Sequence, residues 1–103
     1  MKLLTFTIYD EKSEAFGPPF FTPAIGIASR NFSDTVNNSE TLISKHPGDF
    51  SLYHIGYFDT AKAKFDNNAT PTLIGRATDY KTGGDKDWDR EVDDKRFKEV
   101  KNA

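Results

Sequence analysis

At 103 residues, 36% hydrophobic and 29% charged, the chain has room for one compact core and is too short for a confident second domain. The absence of cysteine excludes disulfides, thiolate metal centres and a cysteine nucleophile, and two histidines argue against a metal site. A formal net charge of −2 argues against indiscriminate polyanion coating but leaves room for local basic patches.

Residues Lys2 to Tyr9 alternate as a half-buried strand should, with Leu4, Phe6 and Ile8 on one face and Leu3, Thr5, Thr7 and Tyr9 on the other. The run is too short and too interrupted for a signal peptide or a membrane span, so no membrane partner is expected. Asp10 to Gly17 is polar, and Gly17-Pro18-Pro19 sets up a turn before a short strand at Phe20 and Phe21. Thr22-Pro23 reads as an N-cap followed by proline at the first helical position. Ile25, Ala28, Phe32 and Val36 then recur at helical spacing, Arg30, Asn31, Ser33 and Asp34 fall toward water, and Asn37-Asn38 marks the end.

After the apolar pair Leu42-Ile43, the turn Lys45 to Asp49 delivers the chain into a strand that is apolar or aromatic on both sides. Strict alternation assigns Phe50, Leu52, His54, Gly56 and Phe58 to one face and Tyr53, Ile55 and Tyr57 to the other. Phe50 to Phe58 and Ala63 to Phe65 read as an antiparallel hairpin closed at Asn67-Asn68. Thr72 to Thr78 reads as a further short strand at an edge, after Pro71. The expected fold is α+β, a small antiparallel sheet of about four strands packed on one helix, over residues 1–80. Residues 81–103 form a charged tail, helical or disordered. In it an acidic block around Asp85, Asp87, Asp89 and Glu91 precedes a basic end, and Trp88, Val92 and Phe97 are candidate partner-binding residues.

No convergent set of acid, base, nucleophile or metal ligands is recognisable, so neither an enzyme nor a cofactor is expected. His46 suits a turn tied by a hydrogen bond, and His54 a partly buried histidine satisfied by a local acceptor. The alternating acids from Asp85 onward do not make a calcium loop, because Arg90 stands at the sixth position and Arg96 at the twelfth. Binding is the surviving class. Tyr53 and Tyr57, with Ile55 between them, would offer a stripe on which bases could stack, with Lys2, Lys62, Lys64 and Arg76 as phosphate contacts. The same stripe could instead be core against the helix or the interface of a homodimer or larger homo-oligomer.

Several ordered motifs also resemble a known family. Ile8-Tyr9-Asp10 follows the first strand, Pro19-Phe20-Phe21 precedes the helix, and Phe32-Ser33-Asp34-Thr35-Val36-Asn37 closes it. His46-Pro47-x-Asp49-aromatic-Ser51-Leu52-aromatic then continues as Ile55-Gly56-x-Phe58-Asp59. Over residues 2–80 the chain resembles the small nonstructural protein of gokushoviruses, the single-stranded DNA phages of the Microviridae. The resemblance implies a phage protein in the cytoplasm of an infected bacterium, not a major virion component, acting as a DNA-binding protein in genome replication or packaging. Single-stranded DNA is therefore the first expected partner. A viral or host protein, engaged by a homo-oligomeric interaction factor, is the alternative.

Overall fold

The computed structural model describes residues 1–82. Strands β1 (Lys2–Asp10), β2 (Ala15–Phe16), β3 (Phe20–Thr22), β4 (Phe50–Asp59) and β5 (Lys64–Arg76) form one antiparallel sheet, curled as a half-barrel. β1 and β4 are central, β5 is one edge, and β2 and β3 share the other edge, pairing with successive parts of β1. The helices are α1 (Ile25–Val36), α2 (Leu42–Lys45) and α3 (Ala77–Tyr80), with a 3₁₀ turn at Pro47–Asp49 leading into β4.

The α+β architecture agrees with the sequence reading, and its core joins one sheet face to the α1 stripe. Phe6, Leu52 and Phe50 from the sheet are buried against Ala28, Phe32 and Val36 of α1 and Ala77 of α3, with Leu4, Ile8, Phe20, Ile43, Ile74 and Tyr80 packed around them. Three of the four residues expected on the helix stripe enter this core. Ile25, in the first turn, remains 48% exposed. Full burial of a side chain such as Phe32 stabilises by about 1.5–3 kcal/mol, which is why a short helix is stable only on this sheet.

Four local expectations change. The helix cap is Ala24, not Thr22, because Thr22 belongs to β3 opposite Leu4, and its hydroxyl donates to the Ala24 carbonyl at 2.7 Å. The hairpin does not close at Asn67-Asn68: β5 continues to Arg76, with an irregular stretch where His54 and Gly56 oppose Thr72 and Asn67. Pro71 is accommodated there because an edge strand tolerates a missing donor. Ala77 and Thr78, expected to end the strand, instead open the helix Ala77–Tyr80, started by Asp79, whose carboxylate accepts from the Arg76 backbone N–H at 3.1 Å. The sheet therefore carries three short or medium helices, not one.

Two polar side chains hold the end of the described chain. Asn37, just after α1, donates from Nδ2 to the carbonyls of Ser33 and Tyr80, both at 2.9 Å. Its Oδ1 accepts from the Thr82 N–H at 2.8 Å and the Thr82 hydroxyl at 3.0 Å. Lys81 Nζ reaches the buried Ser44 hydroxyl at 2.7 Å and the Ser44 carbonyl at 3.2 Å, tying α2 to the segment after α3.

Candidate binding face of the sheet

A β-bulge decides which aromatic side chains share a face. β1 and β4 lose register between Thr5, which opposes Gly56, and Phe6, which opposes His54, so Ile55 is an extra residue on β4. Beyond it, alternation resumes with the opposite parity. Tyr57 consequently opposes Leu4 on the helix side, its ring 5.0 Å from His54, whereas Tyr53 opposes Thr7 on the other side. The expected Tyr53, Ile55 and Tyr57 stripe is thus divided between the two faces. By the same shift, Phe58 moves to the face of Tyr53, opposite Leu3.

Gly56 makes the bulge possible. A Cβ there would lie 2.6 Å from the Asp66 carbonyl oxygen and 2.9 Å from the Asn67 Cα, both backbone atoms of the neighbouring strand that cannot easily give way.

The face away from the helices carries two groups of rings drawn from all five strands. Phe21, Phe58 and Phe65 form one, with centroids 5.7 Å apart for Phe21 and Phe58, 4.9 Å for Phe58 and Phe65, and 6.2 Å for Phe21 and Phe65. Tyr9, Phe16 and Tyr53 form the other, at 4.7 Å for Tyr9 and Phe16, 5.5 Å for Phe16 and Tyr53, and 6.5 Å for Tyr9 and Tyr53. These separations match the tilted and edge-on contacts that aromatic rings prefer. Phe65 is 61% exposed, Phe16 47% and Phe21 40%, so the rings stabilise one another without being enclosed. Small residues lie between the two groups: Thr5 and Thr7 are buried on this face, and the Thr7 hydroxyl donates to the Gly17 carbonyl at 2.7 Å.

Charge is nearly absent from this face. Among the residues that the strand pairing assigns to it, only Arg76 is ionic, and its guanidinium donates to the Glu11 carboxylate at 3.3 Å. Both partners are half exposed, so the pair contributes little to stability. The other basic candidates lie elsewhere. Lys2 and Lys64 both pair with Asp59, on the helix-side face together with Tyr57 and Asp66, and Lys62 sits in the turn between β4 and β5. The expected set is therefore not one cluster: Tyr53 and Arg76 lie at one end on one face, and Tyr57, Lys2 and Lys64 at the other end on the other. Trp88, Val92 and Phe97 lie outside the described residues.

His54 lies on the helix side against Phe6, at a ring separation of 5.2 Å. The Asn68 amide donates to its Nδ1 at 3.1 Å and to its carbonyl at 3.0 Å, but among the described residues the buried Nε2 has no hydrogen-bond partner, so the local acceptor expected from the sequence is not the contact the ring makes. Among the described residues no group of His, Asp or Glu is arranged to hold a metal ion, and no helix is long and apolar enough to cross a membrane.

Comparison with known proteins places this architecture. A family profile described as Phage ORF5 protein matches residues 3–80, the segment from β1 to the end of α3. The chain belongs to this family. The ORF5 match ends at Tyr80, whose carbonyl Asn37 holds, so the matched segment coincides with the sheet and its helices. Protein ORF5 of Chlamydia phage 1 is 33% identical over 69 residues, which cover 63% of this chain and 72% of that protein. The chain is accordingly a phage protein of gokushovirus type, as the sequence motifs implied. No solved structure matches it.

Proposed function

We propose that this ORF5-family protein is a non-catalytic accessory factor that binds single-stranded DNA in the infected bacterium, during genome replication or packaging, and that the ring-bearing face of the sheet is its platform. The observation that carries the reading is the pair of aromatic groups on a sheet face that none of the described helices covers, with Phe16, Phe21 and Phe65 open to solvent among the described residues. Bases stack on such rings without sequence preference, and each stack contributes on the order of 1–3 kcal/mol. Phosphate contacts come from the rim: Lys62 in the turn and Lys2 and Lys64 beside Leu3 and Phe65, whose flexible stems carry the charge past the sheet edge. This assignment moves the platform from Tyr53 and Tyr57 to Tyr53 together with five rings on its own face.

Fluorescence anisotropy of a labelled oligothymidine tests the reading, with salt-sensitive binding as the expected result and no binding at low salt as the contrary one. A second reading draws on the near absence of charge from the face, which suits contact with a second copy or another protein as well as with DNA. Sedimentation of the purified chain across a concentration series separates the two. A concentration-dependent dimer that phenylalanine-to-alanine changes on this face dissolve, without DNA binding, would favour protein contact.

A further inference from the structure

Between the two aromatic groups the face that no described helix covers has a shallow apolar groove of about 240 Å³, lined by Thr7, Phe16, Gly17, Pro19, Ile55 and Pro71. Small-molecule sites commonly enclose ~300–1,000 Å³, so this groove suits a single large side chain rather than a cofactor. The chain itself supplies a matching occupant. Residues 83–94 contain Asp85, Asp87, Asp89, Glu91, Asp93 and Asp94 against Lys86 and Arg90, and within that block the large apolar residues are Trp88 and Val92. The strand pairing assigns no carboxylate to the ring-bearing face, and its one charged residue, Arg76, is already paired with Glu11, so the groove itself is lined by uncharged residues and the match is between its apolar lining and Trp88.

The tether is short and its origin is fixed. Asn37 holds Thr82 just after α3, which leaves β5 at the sheet end carrying Tyr9, Phe16 and Tyr53. Trp88 lies six positions beyond Thr82, an extended reach of roughly 20 Å at about 3.3–3.6 Å per residue. That reach is about twice the ~10 Å spacing of packed layers. A linker of this length gives an effective concentration in the millimolar range, enough to half-fill a site whose affinity for the free segment is itself only millimolar.

We propose that the acidic segment 83–94 docks back in cis and seats Trp88 in this groove, so that a nucleic-acid strand must displace it to reach the rings. The displacement half of the proposal rests on the single-stranded DNA reading of the face; the docking half does not. The acidic block and a phosphate backbone repel one another, and both need the same rings, so the segment sets a threshold for binding and favours strands long enough to compete.

Trp88 is the chain's single tryptophan, so its fluorescence in the full-length protein reports directly. Docking predicts blue-shifted emission and weak acrylamide quenching that survive tenfold dilution, and a red shift with stronger quenching in Phe16→Ala, whose side chain is half exposed. Unlabelled oligothymidine should produce the same red shift. Trp88→Ala should tighten oligothymidine binding about twofold or more, the factor expected when effective concentration and segment affinity are equal. Solvent-like emission in the full chain, shielding lost on dilution, or shielding unaffected by Phe16→Ala would each overturn docking in cis. Oligothymidine binding by anisotropy with Trp88 still shielded would overturn displacement alone. Shielding that responds to Phe16→Ala without any oligothymidine binding would support docking while removing DNA as the ligand of the face.

Discussion

Gly56 carries more of the architecture than any aromatic residue near it. The Cβ of an alanine would press on backbone atoms of β5, so Gly56→Ala must push the strands apart or remove the bulge. Overpacking of this kind costs about 1–3 kcal/mol, and urea unfolding should show the midpoint of Gly56→Ala falling accordingly. An unchanged midpoint would mean that β5 does not approach β4 so closely. Asn37 acts at the other end of the domain, where its side chain makes four hydrogen bonds to Ser33, Tyr80 and Thr82. Asn37→Ala leaves those exposed partner groups to find water and should destabilise by about 0.5–1.5 kcal/mol in the same measurement.

At the level of elements, the sequence pattern was legible wherever local periodicity and burial agree. β1 alternates as read, the Phe20 strand lies where the prolines deliver it, and Ala28, Phe32 and Val36 form the buried stripe of α1. Phe32 is almost fully buried, with its ring 5.3 Å from that of Tyr80. Phe32→Ala should therefore cost about 3–5 kcal/mol, seen as an early thermal transition. What alternation could not convey was the change of parity in β4, because an inserted residue leaves the composition of a strand untouched. An isolated glycine inside an aromatic strand was the available signal. β5 was misread for a related reason: Asn67, Asn68 and Pro71 are turn residues by chemistry, but an edge strand paired on one side accommodates them. The aromatic groups were not legible at all, since their rings come from strands far apart in sequence, and only pairing brings Phe21 to Phe58 and Phe65, or Phe16 to Tyr9 and Tyr53.

For the whole molecule, the division of the sheet into a helix-covered face and a ring-bearing face separates the residues that hold the fold from those of the proposed platform. Large aromatic residues on the first face hold the fold, and those on the second remain available. On the proposed DNA-binding reading, a chain with net charge −2 needs its few rim cations, so Lys62→Ala and Lys64→Ala should each lower the salt slope of binding by about 0.7, the value for one contact to a single strand. Global melting should barely change in either variant, because Lys62 and Lys64 are exposed. The most direct test of the central claim compares two aromatic substitutions at the same end of the sheet but on opposite faces. Oligothymidine affinity, measured by anisotropy at fixed low salt, should fall about 5- to 150-fold in Phe65→Ala, the loss of one stack worth about 1–3 kcal/mol, and stay unchanged in Tyr57→Ala. Equal losses in both variants, or a loss confined to Tyr57→Ala, would contradict it.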